Sequence, residues 1–164
     1  MKKLELELLA LSESNASIHS YAVVLGEKNG KRKLPIIIGS FEAQAIAIEL
    51  ERMKPARPLT HDLFVSMAKT LGAHLKEVLI TDLKEGVYFA NLVWVRQEED
   101  GKPWVQDART SDALALAVRF ACPIYTVESV LSQGGIEPEQ WDAAFDPKPT
   151  TSTEPDQLDA FEGL

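Results

Sequence analysis

The chain opens with apolar and charged residues in alternation. Leu4, Leu6 and Leu8 alternate with Glu5 and Glu7, and this period of two is typical of a strand with one buried face. Apolar runs of strand length, separated by polar segments, predict further strands at residues 21–26, 33–38, 75–83, 87–95, 104–107 and 123–127. Residues 87–95 are apolar on both faces for much of their length, which predicts a central strand.

Three short polar segments are predicted to join neighbouring strands as hairpins. Asn29-Gly30 is the dipeptide that most strongly predicts a two-residue hairpin turn. Residues 84–86 and 98–102 each contain a glycine among charged residues and predict the other two turns. Neighbouring strands in the predicted sheet therefore run mostly antiparallel.

Apolar residues recur at helical spacing in three places. One stripe begins at Gly39-Ser40 and ends before Pro55, a second spans residues 60–71 with Gly72 as its predicted C-cap, and a third spans residues 112–121. Because strands and helices are mixed and hairpins dominate, the predicted fold is α+β, with about three helices packed on a mixed, mostly antiparallel sheet.

The net charge of −8 is unevenly distributed along the 164 residues. Residues 133–164 carry eight Asp or Glu side chains against Lys148 alone, which leaves residues 1–132 with 16 basic and 17 acidic side chains. Since the last segment also holds four prolines and few apolar residues, we predict a folded domain at 1–132 and a flexible acidic tail at 133–164. The nearly neutral domain lacks the basic composition of most nucleic-acid-binding proteins, although a local patch would suffice.

The chain shows no sign of a membrane or secretory segment. No apolar run approaches the roughly 20 residues that span a bilayer, and Lys2, Lys3, Glu5 and Glu7 interrupt any signal-like apolar segment at the start. We therefore expect a cytoplasmic protein without a membrane partner. The single Cys122 permits no internal disulfide, and its apolar surroundings predict a buried structural thiol.

Two stretches about fifty residues apart share one arrangement. Arg57-Pro58-Leu59-Thr60-His61-Asp62 and Asp107-Ala108-Arg109-Thr110-Ser111-Asp112 each place an Arg before a Thr or Ser, then an Asp, then an apolar helical run. Thr60 and Ser111 are predicted N-caps, whose hydroxyl oxygens accept bonds from backbone N–H groups. The Asp of each motif lies where the helix dipole favours negative charge.

Capping explains neither of the two arginines, nor His61 and Asp107. If the two helix starts face each other, these four residues and Asp112 would converge. They would form a site for a phosphate or another anion, with Arg57 and Arg109 as its bidentate ligands. The alternative that stays open is structural: each Arg would then tie the two loops together through the Asp that ends each motif.

The two motifs resemble those of the bifunctional nuclease domain family. The resemblance runs in order from about residue 4 to residue 130 and includes Leu34-Pro35-Ile36-Ile37-Ile38-Gly39, Thr81-Asp82-Leu83, Tyr88-Phe89-Ala90 and both motifs. One departure is visible: Thr110 stands where the family usually has Pro, which loosens the entry to the helix but removes no reactive group. The resemblance implies a nuclease that acts on DNA or RNA and therefore has nucleic acid as its partner.

A nuclease of this kind would hydrolyse phosphodiester bonds with the help of a divalent cation, Mg²⁺ or Mn²⁺, held by carboxylates. The candidate catalytic residues are His61, Asp62, Asp107 and Asp112. The candidate phosphate- or substrate-binding residues are Arg57, Arg109, Thr60 and Ser111. The candidate metal ligands are Asp107, Asp112 and Glu42.

A second class of function fits the same pattern. The domain would then be a non-catalytic module that holds an anion or a neighbouring subunit, and its acidic tail would recruit a partner. The absence of a carboxylate cluster in the folded protein would favour this alternative. Exposed hairpin edges and apolar helix faces predict a homo-oligomer under either hypothesis.

Overall fold

The computed structural model describes residues 2–14, 19–96 and 102–144. Along these residues the elements are β1 (Lys3–Glu13), β2 (Ser20–Glu27), β3 (Lys33–Gly39), α1 (Ser40–Leu50), α2 (Thr60–Thr70), β4 (Ala73–Lys84), β5 (Val87–Arg96), β6 (Trp104–Arg109), α3 (Thr110–Phe120), β7 (Ile124–Val127), α4 (Glu128–Gly134) and α5 (Pro138–Ala144). The predicted α+β fold is confirmed, with all the predicted strands and helices present.

The seven strands of the described residues form one sheet in the order β3-β2-β1-β7-β4-β5-β6. Every neighbouring pair is antiparallel except β4 and β7, which are parallel. The short β7 therefore lies at the centre, and the prediction that residues 87–95 form the central strand is wrong. In β7 the fully buried Thr126 donates its hydroxyl to the carbonyl of Ile80 at 3.0 Å, which satisfies a polar group that burial would otherwise penalise.

Helix α3 is the centre of the helical layer. Its residues Ala113 to Ala117 are all buried, because α3 packs against α1 and α2 on one side and against β4 and β5 on the other. Three alanines, Ala113, Ala115 and Ala117, keep the helix narrow and allow close approach. The starts of α1, α2 and α3 are consequently held near one another at one end of the domain.

The sheet curls so far that β5 approaches β3, although four strands separate them in the sheet. The Tyr88 hydroxyl on β5 donates to the carbonyl of Pro35 on β3 at 3.3 Å. A cleft of about 350 Å³ lies between β3 and the neighbouring ends of β5, β6 and α3. Its walls bring Gly39 and Glu42 opposite Arg109, Thr110 and Ser111.

The folded part of the chain continues beyond residue 132. Ile136 pairs with Lys33 of β3 through two backbone hydrogen bonds of 3.0 and 2.7 Å, and the Lys33 ammonium lies 4.5 Å from the centroid of the Trp141 ring. The boundary predicted after residue 132 is therefore too early, because residues distant in sequence hold this segment. The rest of the predicted tail, residues 145–164, lies outside the described residues.

Within the described ranges, no helix has both the length and the hydropathy needed to cross a bilayer.

Candidate active site at three helix starts

A chain of polar contacts joins the starts of α1, α2 and α3. The Nε2 atom of His61 on α2 lies 3.0 Å from Oδ1 of Asp112 on α3. The other carboxylate oxygen of Asp112 accepts a hydrogen bond of 3.1 Å from Nε of Arg109. The Arg109 guanidinium also lies 3.8 Å from the carboxylate of Glu42 on α1. We call these four residues the charged cluster.

Three of the five residues predicted to converge are thus in contact, namely His61, Arg109 and Asp112. The other two are not part of these contacts. Arg57 is exposed in the loop before α2, and Asp107 is exposed on β6, and neither has a hydrogen-bond or ion-pair partner among the described residues. Asp107 lies two residues before Arg109 on β6, so the two side chains leave the same face of that strand.

The predicted N-caps are wrong by one and two residues. Helix α2 has Leu59 as its N-cap, with Thr60 as the first helical residue. Helix α3 has Arg109 as its N-cap, with Ser111 as the second helical residue. At α2 the Asp62 carboxylate accepts the backbone N–H of Leu59 at 2.8 Å, so the acid of the motif, and not the hydroxyl, stabilises the helix start.

Thr110 anchors the start of α3 instead of capping it. Its buried hydroxyl donates to the carbonyl of Tyr88 on β5 at 3.0 Å. A Pro at this position could not make that bond. Thr110 therefore adds a hydrogen bond between the start of α3 and the sheet. Ser111, the next residue, lines the cleft.

The absence of a side chain at Gly39 leaves room for the Glu42 carboxylate at the start of α1. A Cβ atom at position 39 would lie 2.6 Å from a Glu42 carboxylate oxygen, so any larger residue would displace that carboxylate. Glu42 is the acidic residue in the first turn of α1, where the helix dipole favours a negative charge. Gly39 therefore accommodates this carboxylate in its position near Arg109.

A second ion pair lies beneath the charged cluster, and the sequence motifs did not reveal it. Arg119, with 3% of its side chain exposed, donates from Nε to Asp62 at 2.8 Å. Its Nη1 atom donates to the carbonyls of Ala45 at 2.8 Å and Ala115 at 3.0 Å, so one guanidinium joins α1, α2 and α3. The only signal for this role in the sequence is a single basic residue in the last turn of α3.

The buried pair changes the acidity of Asp62. Burial acts to raise the pKa of this carboxyl, but the hydrogen bonds from Arg119 and the Leu59 backbone, with the positive charge of Arg119, lower the pKa below its ordinary value. Asp62 is thus an anion engaged in holding α2 in place, and its catalytic role stays a prediction.

Within the part of the chain that the structure describes, neither a reactive thiol nor a carboxylate cluster is found at the positions that the sequence offered for them. Burial raises the pKa of the Cys122 thiol to about 11, which disfavours the thiolate that a nucleophile requires. The predicted metal ligands Asp107, Asp112 and Glu42 do not form a cluster: among the described residues, no three His, Cys, Asp or Glu side chains are grouped so as to hold a metal ion. Both carboxylate oxygens of Asp112 are already engaged, by His61 and by Arg109.

The chemistry of the charged cluster follows from the roles of its hydrogen bonds. A carboxylate only accepts, so in the neutral imidazole the hydrogen bond to Asp112 requires the hydrogen on Nε2 of His61 and leaves Nδ1 as an acceptor. An imidazole oriented in this way by a carboxylate has the arrangement that general-base chemistry requires. Arg109 remains largely exposed, with guanidinium N–H groups available to an anion in the cleft.

Comparisons with known proteins agree with the resemblance of the motifs. A model of the Bifunctional nuclease domain matches residues 23–139, which include the whole charged cluster. An uncharacterized protein of Mycobacterium tuberculosis is 42% identical over 140 residues, covering 85% of this chain and 79% of that protein. Bifunctional nuclease 2 of rice is 28% identical over 116 residues (70% of this chain, 36% of that protein), and Bifunctional nuclease 2 of Arabidopsis thaliana is 27% identical over 110 residues (67% and 33%). The chain therefore spans about a third of the length of these plant relatives.

Proposed function

The chain belongs to the bifunctional nuclease domain family, and we propose that it is a nuclease that hydrolyses phosphodiester bonds of DNA or RNA at the charged cluster. The distant plant relatives named bifunctional nucleases support this activity for the family. Nucleic acid as the substrate and a cytoplasmic location are parts of the same proposal.

The observation that carries the proposal is the contact of His61 and Arg109 with opposite oxygens of one carboxylate, Asp112. In the proposed reaction a water molecule attacks the phosphorus atom while Nδ1 of His61 accepts its proton. The bond to the leaving oxygen breaks, and this oxygen takes up a proton from solvent. Asp112 orients the imidazole and stabilises the imidazolium that forms. Arg109 binds the phosphate oxygens as negative charge develops on them.

We also propose that the activity requires Mg²⁺ or Mn²⁺. The carboxylates near the cleft do not fit a three-ligand site as they are arranged in the described residues, so no step of the reaction above is assigned to a metal ion. The requirement is tested by removing cations with EDTA and then restoring Mn²⁺ or Mg²⁺. A gain of activity on restoration supports the requirement, and equal activity in EDTA contradicts it.

The activity itself is tested on purified full-length protein with single-stranded DNA, duplex DNA and RNA. Replacing a general base reduces the rate by about 10²–10⁴-fold, and we expect this loss in His61→Ala and in Asp112→Asn. His74→Ala is the matched control, because His74 is an exposed histidine whose ring contacts Phe120 and lies outside the charged cluster. Cleavage that survives in His61→Ala would identify a contaminating enzyme and contradict the proposal.

An exposed apolar surface supports the proposed homo-oligomer, and with it the alternative role as an assembly module. Phe41 on the first turn of α1 is 84% exposed, and Ile37 and Val87 are exposed on the walls of the neighbouring cleft. Light scattering of the wild type and of Phe41→Ser measures the oligomer directly. A monomeric wild type would contradict this part of the proposal, and the acidic tail as a recruiter of partners stays a prediction.

A further inference from the structure

A second cleft lies between α2 and the strands β5 and β6, separate from the cleft beside β3. Its volume is about 170 Å³, of the same order as the roughly 150 Å³ cavity that admits one benzene-sized ring. It is lined mainly by aromatic and other apolar side chains, with one amide: Phe64, Met67, Leu71, Trp94, Trp104 and Gln106. We call it the aromatic cleft.

The rings of the aromatic cleft form a stacked platform. The Trp94 and Trp104 rings are nearly parallel, with an interplanar angle of 16° and centroids 6.3 Å apart. Phe64 is tilted against Trp94 with centroids 5.9 Å apart. Trp94 is 2% exposed, whereas Trp104 is 38% exposed. The outer ring of the platform is therefore accessible to a flat ligand.

Two of the side chains that line the aromatic cleft carry polar groups, the Trp94 indole and the Gln106 amide. The buried indole N–H of Trp94 has no hydrogen-bond partner among the described residues. A buried donor without an acceptor is destabilising, so a ligand that presents an acceptor would be favoured. The amide of Gln106 on the same wall can both donate and accept. These features favour an aromatic ring with polar edges.

The aromatic cleft adjoins the charged cluster along α2. Phe64 lies three residues after His61 on α2, which makes the two side chains neighbours on the helix surface. His61 in turn contacts Asp112, which accepts a hydrogen bond from Arg109. At the other end Arg96 follows Trp94 by two residues on β5, so it leaves the same face and is exposed. Cations at both ends complement a ligand that carries phosphates on either side of its ring.

We propose that the aromatic cleft is a nucleobase subsite, in which an unstacked base of single-stranded nucleic acid stacks on Trp104 while a neighbouring phosphate contacts Arg109. Bases in a duplex are stacked on each other and cannot enter such a site without being extruded. The link to Arg109 rests on the proposed function, whereas base binding by the cleft itself does not require catalysis.

Equilibrium binding to the full-length protein in EDTA tests the subsite, with a short fluorescent oligothymidylate as the probe and a gel to confirm that it stays intact. The comparison probe is the same oligonucleotide with abasic sites in place of all bases, which keeps every phosphate. Since stacking on an aromatic side chain contributes a factor of roughly ten or more per base, the wild type should bind the intact probe at least tenfold more tightly than the abasic probe.

Trp104→Ala should remove this preference for the intact probe and leave binding of the abasic probe unchanged. Val105→Ala is the matched control, because Val105 is the next residue of β6, is similarly exposed, and points to the opposite face. Trp104→Ala must retain the melting transition of the wild type. If it does not, the comparison of the two probes on the wild type decides the matter alone.

Equal binding of both probes by the wild type, or no binding of either, overturns the subsite. So does a change of oligomeric state in Trp104→Ala without any preference for bases in the wild type, since the cleft would then be an interface between copies of the chain. Base-dependent binding without cleavage would support the subsite and contradict only the proposed activity. Cleavage with equal binding of both probes would support the proposed activity and contradict the subsite.

Discussion

Arg32 and Arg109 each lie between two carboxylates, but the protein holds them very differently. Arg32 makes hydrogen bonds of 3.0 Å from both Nε and Nη2 to Glu27, and of 2.6 and 3.1 Å to Glu128, with 21% of its side chain exposed. Arg109 makes one hydrogen bond of 3.1 Å to Asp112, lies 3.8 Å from Glu42, and is 75% exposed. The same residue types thus form a closed ion-pair network at one end of β3 and an open one at the other.

The difference between the two arginines shows which of them can bind a ligand. Arg32 joins the hairpin between β2 and β3 to α4, and its hydrogen bonds lower the pKa of Glu128 to about 2. Its donors are engaged in the fold, so Arg32 has a structural role. Arg109 sits in high dielectric with a single short contact, and such exposed pairs contribute little to stability. Its free N–H groups are available to an anion.

A third arginine, Arg119, is more deeply buried than either Arg32 or Arg109. Replacing it should have the largest effect on stability. Arg119→Met would leave Asp62 without its ion partner and remove the bonds that join three helices. Removing one member of a buried pair lowers the free energy of unfolding by about 3 kcal/mol. Chemical denaturation measures this loss, and Arg119→Lys, which keeps the charge, should lose less. A loss below about 1 kcal/mol in Arg119→Met would show that the pair does not stabilise the helix starts.

Arg32→Gln should have the next largest effect. Its partner Glu27 is mostly buried, so the change strands a carboxylate and should lower the free energy of unfolding by about 1–2 kcal/mol. Lys31→Gln is the matched control, since Lys31 is the exposed neighbour of Arg32 and has no hydrogen-bond or ion-pair partner among the described residues. Similar melting temperatures for the two variants would contradict a structural role for Arg32.

Local periodicity in the sequence predicted the elements of this fold well. The strands at 33–38 and 87–95 and the helix beginning at residue 60 agree with the structure within a few residues, because each pattern depends only on neighbouring positions. The central position of β7 and the docking of Ile136 on Lys33 were not predicted. Both depend on pairings between residues far apart in sequence, which no local pattern contains.

The candidate site shows the same division. The repeated motif predicted that His61, Arg109 and Asp112 lie together, because helix starts with matching charges were expected to face each other. It did not predict the role of Arg119, which lies in the last turn of α3 and donates to Asp62 on α2. The roles of Arg57 and Asp107 stay predictions, since the fold gives neither a partner among the described residues.

The difference in melting temperature between the wild type and Arg32→Gln should be smaller in acid. Glu128 has a folded-state pKa of about 2 through its bonds to Arg32, below the ordinary value of about 4.3. A depressed carboxyl pKa stabilises the folded state above the ordinary value, and this contribution is lost as the pH falls through the folded value. Melting curves recorded near neutral pH and near pH 2 should therefore show a smaller gap between the two proteins in acid. A gap that is independent of pH would mean that the Arg32 ion pairs do not stabilise the fold.

Arg109→Gln should change stability least and ligand binding most. An exposed residue with one short ion pair contributes within about 0.5 kcal/mol to the free energy of unfolding, so the melting temperature should stay close to that of the wild type. If Arg109 contacts a phosphate, affinity for an oligonucleotide should fall for all sequences alike, and the slope of log affinity against log salt should decrease by about one counterion. Lys28→Gln, which breaks the exposed pair with Glu5, should alter neither quantity. A lowered melting temperature with an unchanged salt slope would mean that Arg109 resembles Arg32 after all, and that it holds the starts of α1 and α3 together through Glu42 and Asp112 instead of binding nucleic acid.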